Sequence, residues 1–195
     1  MGLEFDHINA WTKLAEGDAE SVGREAAANA IGHAQRPAPK RSAASLEASM
    51  TALARLRDHV DAHDFFVLTT DAPAVDVIAY TVVRYERGLD AGDRAIDEAL
   101  AELDNRTGSP ELSTVTTALG PATRILDRTV TAARSRLRRP TPSSMIRWVQ
   151  PVPQLTEPIT AVLTTVIPRG ADESFAAPLV DQFALGLVVT PDDPA

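Results

Sequence analysis

The chain has 195 residues, 44% apolar and 24% charged, which is the composition of one globular domain and excludes a chain disordered throughout. It has no cysteine, so disulfides, thiolate metal sites and a cysteine nucleophile are excluded, and a reducing compartment is favoured. The net charge of −8 argues against nucleic acid as a general partner, because such proteins are usually basic across the whole domain.

For residues 1–42 the sequence predicts a lead segment followed by one helix that packs on the outside of the fold through small side chains. The helix is expected from about Asp18 to Ala34, with mostly small apolar residues on its inner face. The segment RPAPKRS at 36–42 then interrupts the helical pattern with two prolines. Trp11 in the lead is interpreted as a packing residue, and as an interface anchor only if it is exposed.

A stronger helix and a pair of strands follow. The helix is predicted over 44–61 from apolar residues at three- and four-residue spacing, namely Leu46, Met50, Leu53, Leu56 and Val60. Residues 64–70 and 75–86 predict two strands joined by a turn that contains Pro73. The second strand is largely apolar on both faces, so we expect it to lie inside a sheet rather than at its edge.

The rest of the chain predicts a third helix, a meander and a last helix. The third helix is expected over 90–104, and residues 111–168 predict four antiparallel strands rich in Val, Ile and Thr, with Pro and Gly at their ends. The last helix is predicted over 171–189, before a loose tail at 190–195. Its sheet-facing residues are expected at four-residue spacing, with Val180 and Val188 beside them: Phe175, Leu179, Phe183 and Leu187.

This order of elements predicts an α+β fold in one domain, 1–195, with a mostly antiparallel sheet of about six strands covered by helices. The amino terminus, MGLEFDHINAWTK, contains acids and no apolar core of signal-peptide length. The longest apolar run, 183–189, is too short to span a bilayer. We therefore expect a cytoplasmic protein with no membrane partner.

Several strand and turn segments resemble a group of uncharacterised actinobacterial proteins. The matching segments are AWTKLAEGD, VIAYTVVRY, STVTTALGPATRI, IRWVQPVP and LVDQFALGLVV, spread over nearly the whole chain. The group is similar to the PsbP-like fold, an αβα sandwich that includes the LpqN lipoproteins. The lipoproteins carry a lipobox cysteine and this chain has none, so the resemblance does not imply a membrane anchor. It also implies no catalytic residues, because a shared fold alone supports no activity.

An arginine-rich stretch is the most distinctive feature of the sequence. Residues 121–150 contain seven arginines against one acid, a net charge of +6, so the rest of the chain carries −14. Arg134, Arg136 and Arg138 alternate and Arg139 follows, so a strand there would line up guanidinium groups that can bind carboxylates or phosphates. The stretch predicts contact with an acidic protein or an anionic ligand. The alternative is a solvated hairpin tip that offsets the acidic body.

A second candidate site lies at the end of the helix predicted over 44–61. If that helix continues, His59 and His63 lie one turn apart on one face, the spacing of helical zinc ligands, and Asp58 could be a third ligand. No HExxH or other metal motif accompanies them. The alternative is a solvated helix end, where imidazoles are favourable beside the negative pole of the helix dipole.

The motifs of common enzyme classes are absent from the sequence. It contains no GxSxG elbow, no Walker loop and no GxGxxG segment after a strand. The sequence therefore leans towards a non-enzymatic binding or adaptor domain without a cofactor, which contacts an acidic protein or an anionic ligand through the arginine-rich stretch; a homodimer is compatible with it. The alternative is a small-molecule-binding protein or metal-dependent enzyme with its site near His59 and His63.

Overall fold

The computed structural model describes residues 2–6, 10–34, 40–70, 75–101, 109–130, 142–153, 157–168 and 171–190. Its elements in chain order are β1 (Gly2–Phe5), β2 (Trp11–Lys13), α1 (Ala19–His33), α2 (Lys40–Arg57), β3 (Asp64–Thr70), β4 (Asp76–Arg87), α3 (Ala91–Ala101), β5 (Glu111–Thr117), β6 (Gly120–Val130), β7 (Pro142–Val152), β8 (Ile159–Ile167), α4 (Glu173–Leu185) and β9 (Leu187–Thr190). The α+β class predicted from the sequence is confirmed.

The strands form two sheets. Seven of them pair in the order β2-β3-β4-β8-β7-β6-β5, and β1 pairs with β9 in a separate two-stranded sheet. The registers described are all antiparallel. The strand β4 lies inside the larger sheet, as its two apolar faces predicted. The sequence predicted about six strands, and the additional strand is β2. It has only three residues, too few to show the alternation of apolar and polar residues that indicates a strand.

The chain divides into two compact units. The smaller unit is Ile8–Val83, and the larger unit combines Met1–His7 with Arg84–Ala195. The prediction of one domain over 1–195 stays a prediction.

In the smaller unit the helices α1 and α2 pack together over β3. Asp18 caps α1, because its carboxylate accepts a hydrogen bond from the Ser21 amide at 2.9 Å. The core includes Leu46 and Met50 of α2 and Phe65 of β3, each 1% exposed or less. Trp11 is 4% exposed, so its interpretation as a packing residue is confirmed.

The helix α2 begins and ends four residues earlier than the predicted span of 44–61. After Arg57 the chain turns towards β3, and the His59 amide bonds the Leu56 carbonyl at 3.0 Å. A hydrogen bond between residues three apart is of the 3₁₀ type, which is frequent in the last turn of an α-helix. The apolar pattern placed the helix correctly, but Val60, which continues the pattern, lies beyond its end.

In the larger unit α3 and α4 pack on opposite faces of the strands. Neighbouring residues of a strand point to opposite faces, so Trp148 and Val149 of β7 lie on different sides. Ala95 of α3 packs with Val149, whereas Asp181 of α4 accepts a hydrogen bond from the Trp148 indole at 3.2 Å. The central strands are therefore covered on both faces.

The last helix is shorter than predicted and buries a different face. It ends at Leu185, and residues 187–190 form β9, which pairs with β1. A four-residue step overshoots a helical turn by about 40°, so residues at repeated fours drift around the helix. Phe183 is 2% exposed but Phe175 is 52% exposed. The predicted stripe is therefore wrong at Phe175, while Phe183 and the adjacent Val180 are buried as expected. The buried residues of α4 are Ala176, Val180, Phe183 and Ala184.

Candidate functional site

The four arginines predicted to bind a partner, Arg134, Arg136, Arg138 and Arg139, lie outside the described residues. Two other arginines of the same stretch are described, and both are engaged within the larger unit. The Arg124 Nε donates to Asp181 of α4 at 2.7 Å. Arg128 binds Glu173 of α4 at 2.8 Å and also pairs with Glu111. These two arginines therefore fasten α4 and β5 to β6, and part of the predicted basic patch has a structural role.

Glu173 is the centre of this ionic cluster. It lies in the first turn of α4, where the helix dipole favours a negative charge. Its carboxylate accepts hydrogen bonds from Arg128 and from the Ser144 hydroxyl. The hydrogen bond with Arg128, followed by that with Ser144, holds the pKa of Glu173 below its ordinary value despite partial desolvation.

We expect the cluster to stabilise the fold only while Glu173 is ionised. A carboxylate whose pKa is lower in the folded state stabilises above its unfolded pKa, and loses that contribution as pH falls through the folded pKa. Glu173→Gln should therefore cost about 1 kcal/mol at pH 7, and the difference from wild type should shrink below pH 4.5. Urea unfolding at several pH values measures this, with Glu25→Gln as the exposed control. A difference independent of pH would contradict the prediction.

The three residues of the predicted metal site lie beyond the end of α2. Because the helix ends at Arg57, His59 and His63 do not share a helical face, and all three residues, Asp58 included, are exposed. Within the described ranges, no group of three or more His, Cys, Asp or Glu side chains is placed to hold a metal ion. Asp58 instead accepts hydrogen bonds from Arg57. Metal binding at these residues stays a prediction.

One of these residues, His63, lines a pocket of about 320 Å³ in the smaller unit. The wall is formed by the segment that follows β2, the end of α2 and the start of β3. Its lining residues are Lys13, Leu14, Ala15, Glu16, Arg57, Ala62, His63, Asp64 and Phe65. The pocket thus combines two cations, two carboxylates and one titratable imidazole.

Arg57 is the most buried charged side chain of this pocket, with 11% of its surface exposed. Its Nε and Nη2 both donate to one carboxylate oxygen of Asp58, at 3.0 and 2.6 Å, and Nη2 also donates to the Gly17 carbonyl at 3.0 Å. Its Nη1 is buried and has no hydrogen-bond partner. An unsatisfied donor on a buried guanidinium is costly, so an acceptor from a bound molecule would stabilise the site.

The other charged residues of the pocket are held by the β2–β3 pairing. Lys13 forms an ion pair with Asp64, whose side chain is 17% exposed. The Leu14 amide donates to the Phe65 carbonyl at 2.8 Å and fixes the chain beside β3. Glu16 follows two residues later, next to the Gly17 carbonyl that Arg57 contacts. Hence residues separated by more than 40 positions in the sequence converge on one surface.

The sequence predicted His63 but not Lys13, Glu16 or Arg57. No spacing rule joins these three residues, because their proximity depends on where α2 ends and on how β2 pairs with β3. The one sequence feature that could have pointed to this pocket was the pair Arg57–Asp58 at the end of an amphipathic helix. Such a pair is also common on solvated surfaces, so it indicates no site by itself.

Comparisons with known proteins support the fold but do not identify a family. No protein-family model and no curated protein matches the sequence. Among solved structures, LpqN of Mycobacterium tuberculosis, involved in cell envelope biogenesis, is similar over 97% of this chain and 83% of its own, with 11% identity and a TM-score of 0.50. A protein from Bacteroides thetaiotaomicron is similar over 97% of this chain, with 10% identity and a TM-score of 0.45. This chain spans 46% of that protein.

These comparisons decide two of the predictions made from the sequence. The prediction of a cytoplasmic location is contradicted, because one of the solved structures similar in fold belongs to a protein involved in cell envelope biogenesis. In the described part of the chain, no helix has both the length and the apolar character needed to cross a bilayer. The actinobacterial group named from the sequence stays a prediction. The likeness to LpqN supports the LpqN-like fold predicted for this chain.

Proposed function

We propose that this chain is a binding domain, and that the pocket of the smaller unit holds a small polar ligand. The observation that carries the proposal is the Arg57 guanidinium in the pocket wall, with 11% of its side chain exposed and Nη1 lacking a partner. A protein gains stability when a ligand satisfies such a donor, since the cost of desolvating it has already been incurred on folding. His63, one of the two histidines of the predicted small-molecule alternative, also lines this pocket, whereas His59 is not among the described lining residues.

The charges of the lining support the binding of a polar molecule. Lys13 is engaged by Asp64 and Arg57 by Asp58, so the cations are held in place by neighbouring acids. A volume of about 320 Å³ is at the lower end of the range for ligand pockets, which suits a small metabolite.

Filling the pocket should abolish ligand binding without unfolding the protein. We expect some members of a panel of small polar metabolites, tested at millimolar concentration, to raise the thermal midpoint of the wild-type protein. Ala62→Phe places a ring in the pocket wall and should remove that rise. Its own midpoint without ligand and its circular dichroism spectrum serve as the folding control. If no compound shifts the wild-type midpoint, or if the shift survives in Ala62→Phe, the proposal is wrong.

A second candidate function is the adaptor role of the arginine-rich stretch. It is favoured by the charge distribution, in which +6 within residues 121–150 contrasts with −14 elsewhere. An acidic protein partner would be attracted by Arg134, Arg136, Arg138 and Arg139, with an association rate that falls as salt rises. Engagement of Arg124 and Arg128 by acids of the larger unit reduces the positive charge that remains for a partner.

The adaptor role predicts that the four arginines control capture of an acidic partner. Replacing all four with serine should lower the amount of acidic protein retained from cell extract at low salt by about tenfold. Arg55→Ser together with Arg94→Ser, which remove two exposed arginines outside the stretch, form the control. Equal retention by the wild type and the fourfold variant would rule out this role.

A further inference from the structure

We infer that the ligand of the pocket is a small zwitterion, such as a free α-amino acid, with its carboxylate at Arg57 and its ammonium group at Glu16. This inference rests on the proposed function, since it names the ligand class for the same pocket. It follows from three properties of the described lining: its charges, the two groups left without partners, and the lack of an exposed Phe, Tyr or Trp ring.

The charge of the lining disfavours a simple anion. Lys13 and Arg57 are balanced by Glu16 and Asp64, and Asp58 adds a further negative charge against Arg57. A phosphate or a dicarboxylate entering this pocket would be attracted by its two cations but repelled by its two acids and by Asp58, which lies against Arg57. A molecule that carries one charge of each sign meets no net repulsion.

Two complementary groups in the lining are available for such a molecule. Asp58 occupies the Nε and Nη2 edge of the Arg57 guanidinium, which leaves Nη1, at the other end of the planar group, without a partner. Glu16 is exposed, and no described residue forms an ion pair or hydrogen bond with its side chain. Because Arg57 donates to the carbonyl of Gly17, the residue after Glu16, the two groups are neighbours.

The remaining lining argues against a sugar. Sugars in protein sites are commonly stacked on the apolar face of an exposed aromatic ring, which supplies much of the contact area. Among the described lining residues, Phe65 is the one with a large apolar ring; it is 1% exposed and stacks on Tyr80, so its ring belongs to the core. A neutral ligand rich in hydroxyl groups would therefore find hydrogen-bonding groups here but no large apolar ring on which to stack.

The Nη1 atom is closed to water in the structure, so the carboxylate must displace part of the pocket wall to reach it. Asp58 and the Gly17 carbonyl hold Nε and Nη2 during this step, because they contact the opposite edge of the guanidinium. Arg57→Lys keeps the positive charge but removes the planar group that makes these three contacts possible. It should weaken binding of the zwitterion although the charge is unchanged.

The test compares four related probes: L-alanine, propionate, ethylammonium and L-alaninamide, the last of which matches L-alanine in size. Calorimetric titration of the full chain should show L-alanine binding about tenfold more tightly than any of the other three, since each lacks one of the two charges. Arg57→Lys and Glu16→Gln should each weaken L-alanine binding by a similar factor. Arg55→Lys, which alters an exposed arginine outside the pocket, should leave it unchanged.

Two results would overturn the inference. If propionate binds as tightly as L-alanine, the ligand is recognised as a carboxylate alone. If only neutral members of the wider metabolite panel bind, recognition does not depend on either charge. In both cases binding still disappears in Ala62→Phe, so the proposed function survives. If nothing binds the wild-type protein, the proposed function fails together with the inference.

Discussion

Phe183→Ala is expected to destabilise the protein by about 3–5 kcal/mol, the range for removing a fully buried aromatic side chain. Phe183 is 2% exposed, and its ring stacks on Phe5 with centroids 4.6 Å apart and planes inclined by 5°. The substitution leaves a cavity under α4 and deprives Phe5 of its stacking partner. Because Phe5 belongs to β1, the pairing of β1 with β9 should weaken as well.

Phe175→Ala is the matched control, because it makes the same chemical change in the same helix. Phe175 is 52% exposed, so the substitution should cost less than about 1 kcal/mol. Urea unfolding followed by circular dichroism compares the two variants under identical conditions. If the two substitutions destabilised the protein equally, the different burial of Phe183 and Phe175 would be contradicted. The stripe predicted from four-residue spacing would then be supported.

Gly23→Ala is expected to destabilise the smaller unit by about 1–3 kcal/mol, although alanine is the better helix former. A Cβ at this position of α1 would lie 2.6 Å from both the Cα and the amide nitrogen of Thr51 in α2, and would also overlap its Oγ1. Backbone atoms cannot rotate away as a flexible side chain can. The two helices would therefore have to separate, with loss of packing around Leu46 and Met50.

Gly32→Ala in the same helix should have the opposite effect. Apart from Gly32 itself, its two neighbours and the backbone of its own helix, no described atom lies within 4 Å of a Cβ built there, so we expect the higher helix propensity of alanine to dominate. We expect a gain of up to about 1 kcal/mol. Thermal and urea midpoints of the two variants measure the contrast. If both substitutions lowered the stability of the protein, or both raised it, the contact between Gly23 and Thr51 would not be what limits the packing of α1.

The long elements of the fold were predictable from the sequence, whereas the short strands were not. β3, β4 and the four strands from β5 to β8 are seven residues or longer and rich in Val, Ile and Thr, so their character is evident locally. The strands β1, β2 and β9 have three or four residues. Each depends on a partner far away in the sequence, and nothing within three or four residues specifies that partner.

The site was predictable only in part, for a related reason. His63 was identified from its position near another histidine, but the residues that join it in the pocket come from β2, the following segment and the end of α2. Likewise, composition showed that Arg124 and Arg128 belong to a basic stretch. It could not show that carboxylates of α4, 45 and 57 positions later, would bind them.

The pairing of β1 with β9 has a consequence for how the protein is made. Gly2 lies opposite Thr190 and Phe5 opposite Leu187, so this small ribbon closes a loop of roughly 180 residues. On the ribosome, β1 is synthesised roughly 180 residues before β9 and must wait for it before the two strands can pair. Contacts of such long range form slowly. The larger unit is therefore expected to be completed only after β9 has been made, and β1 stays unpaired and open to a chaperone until then.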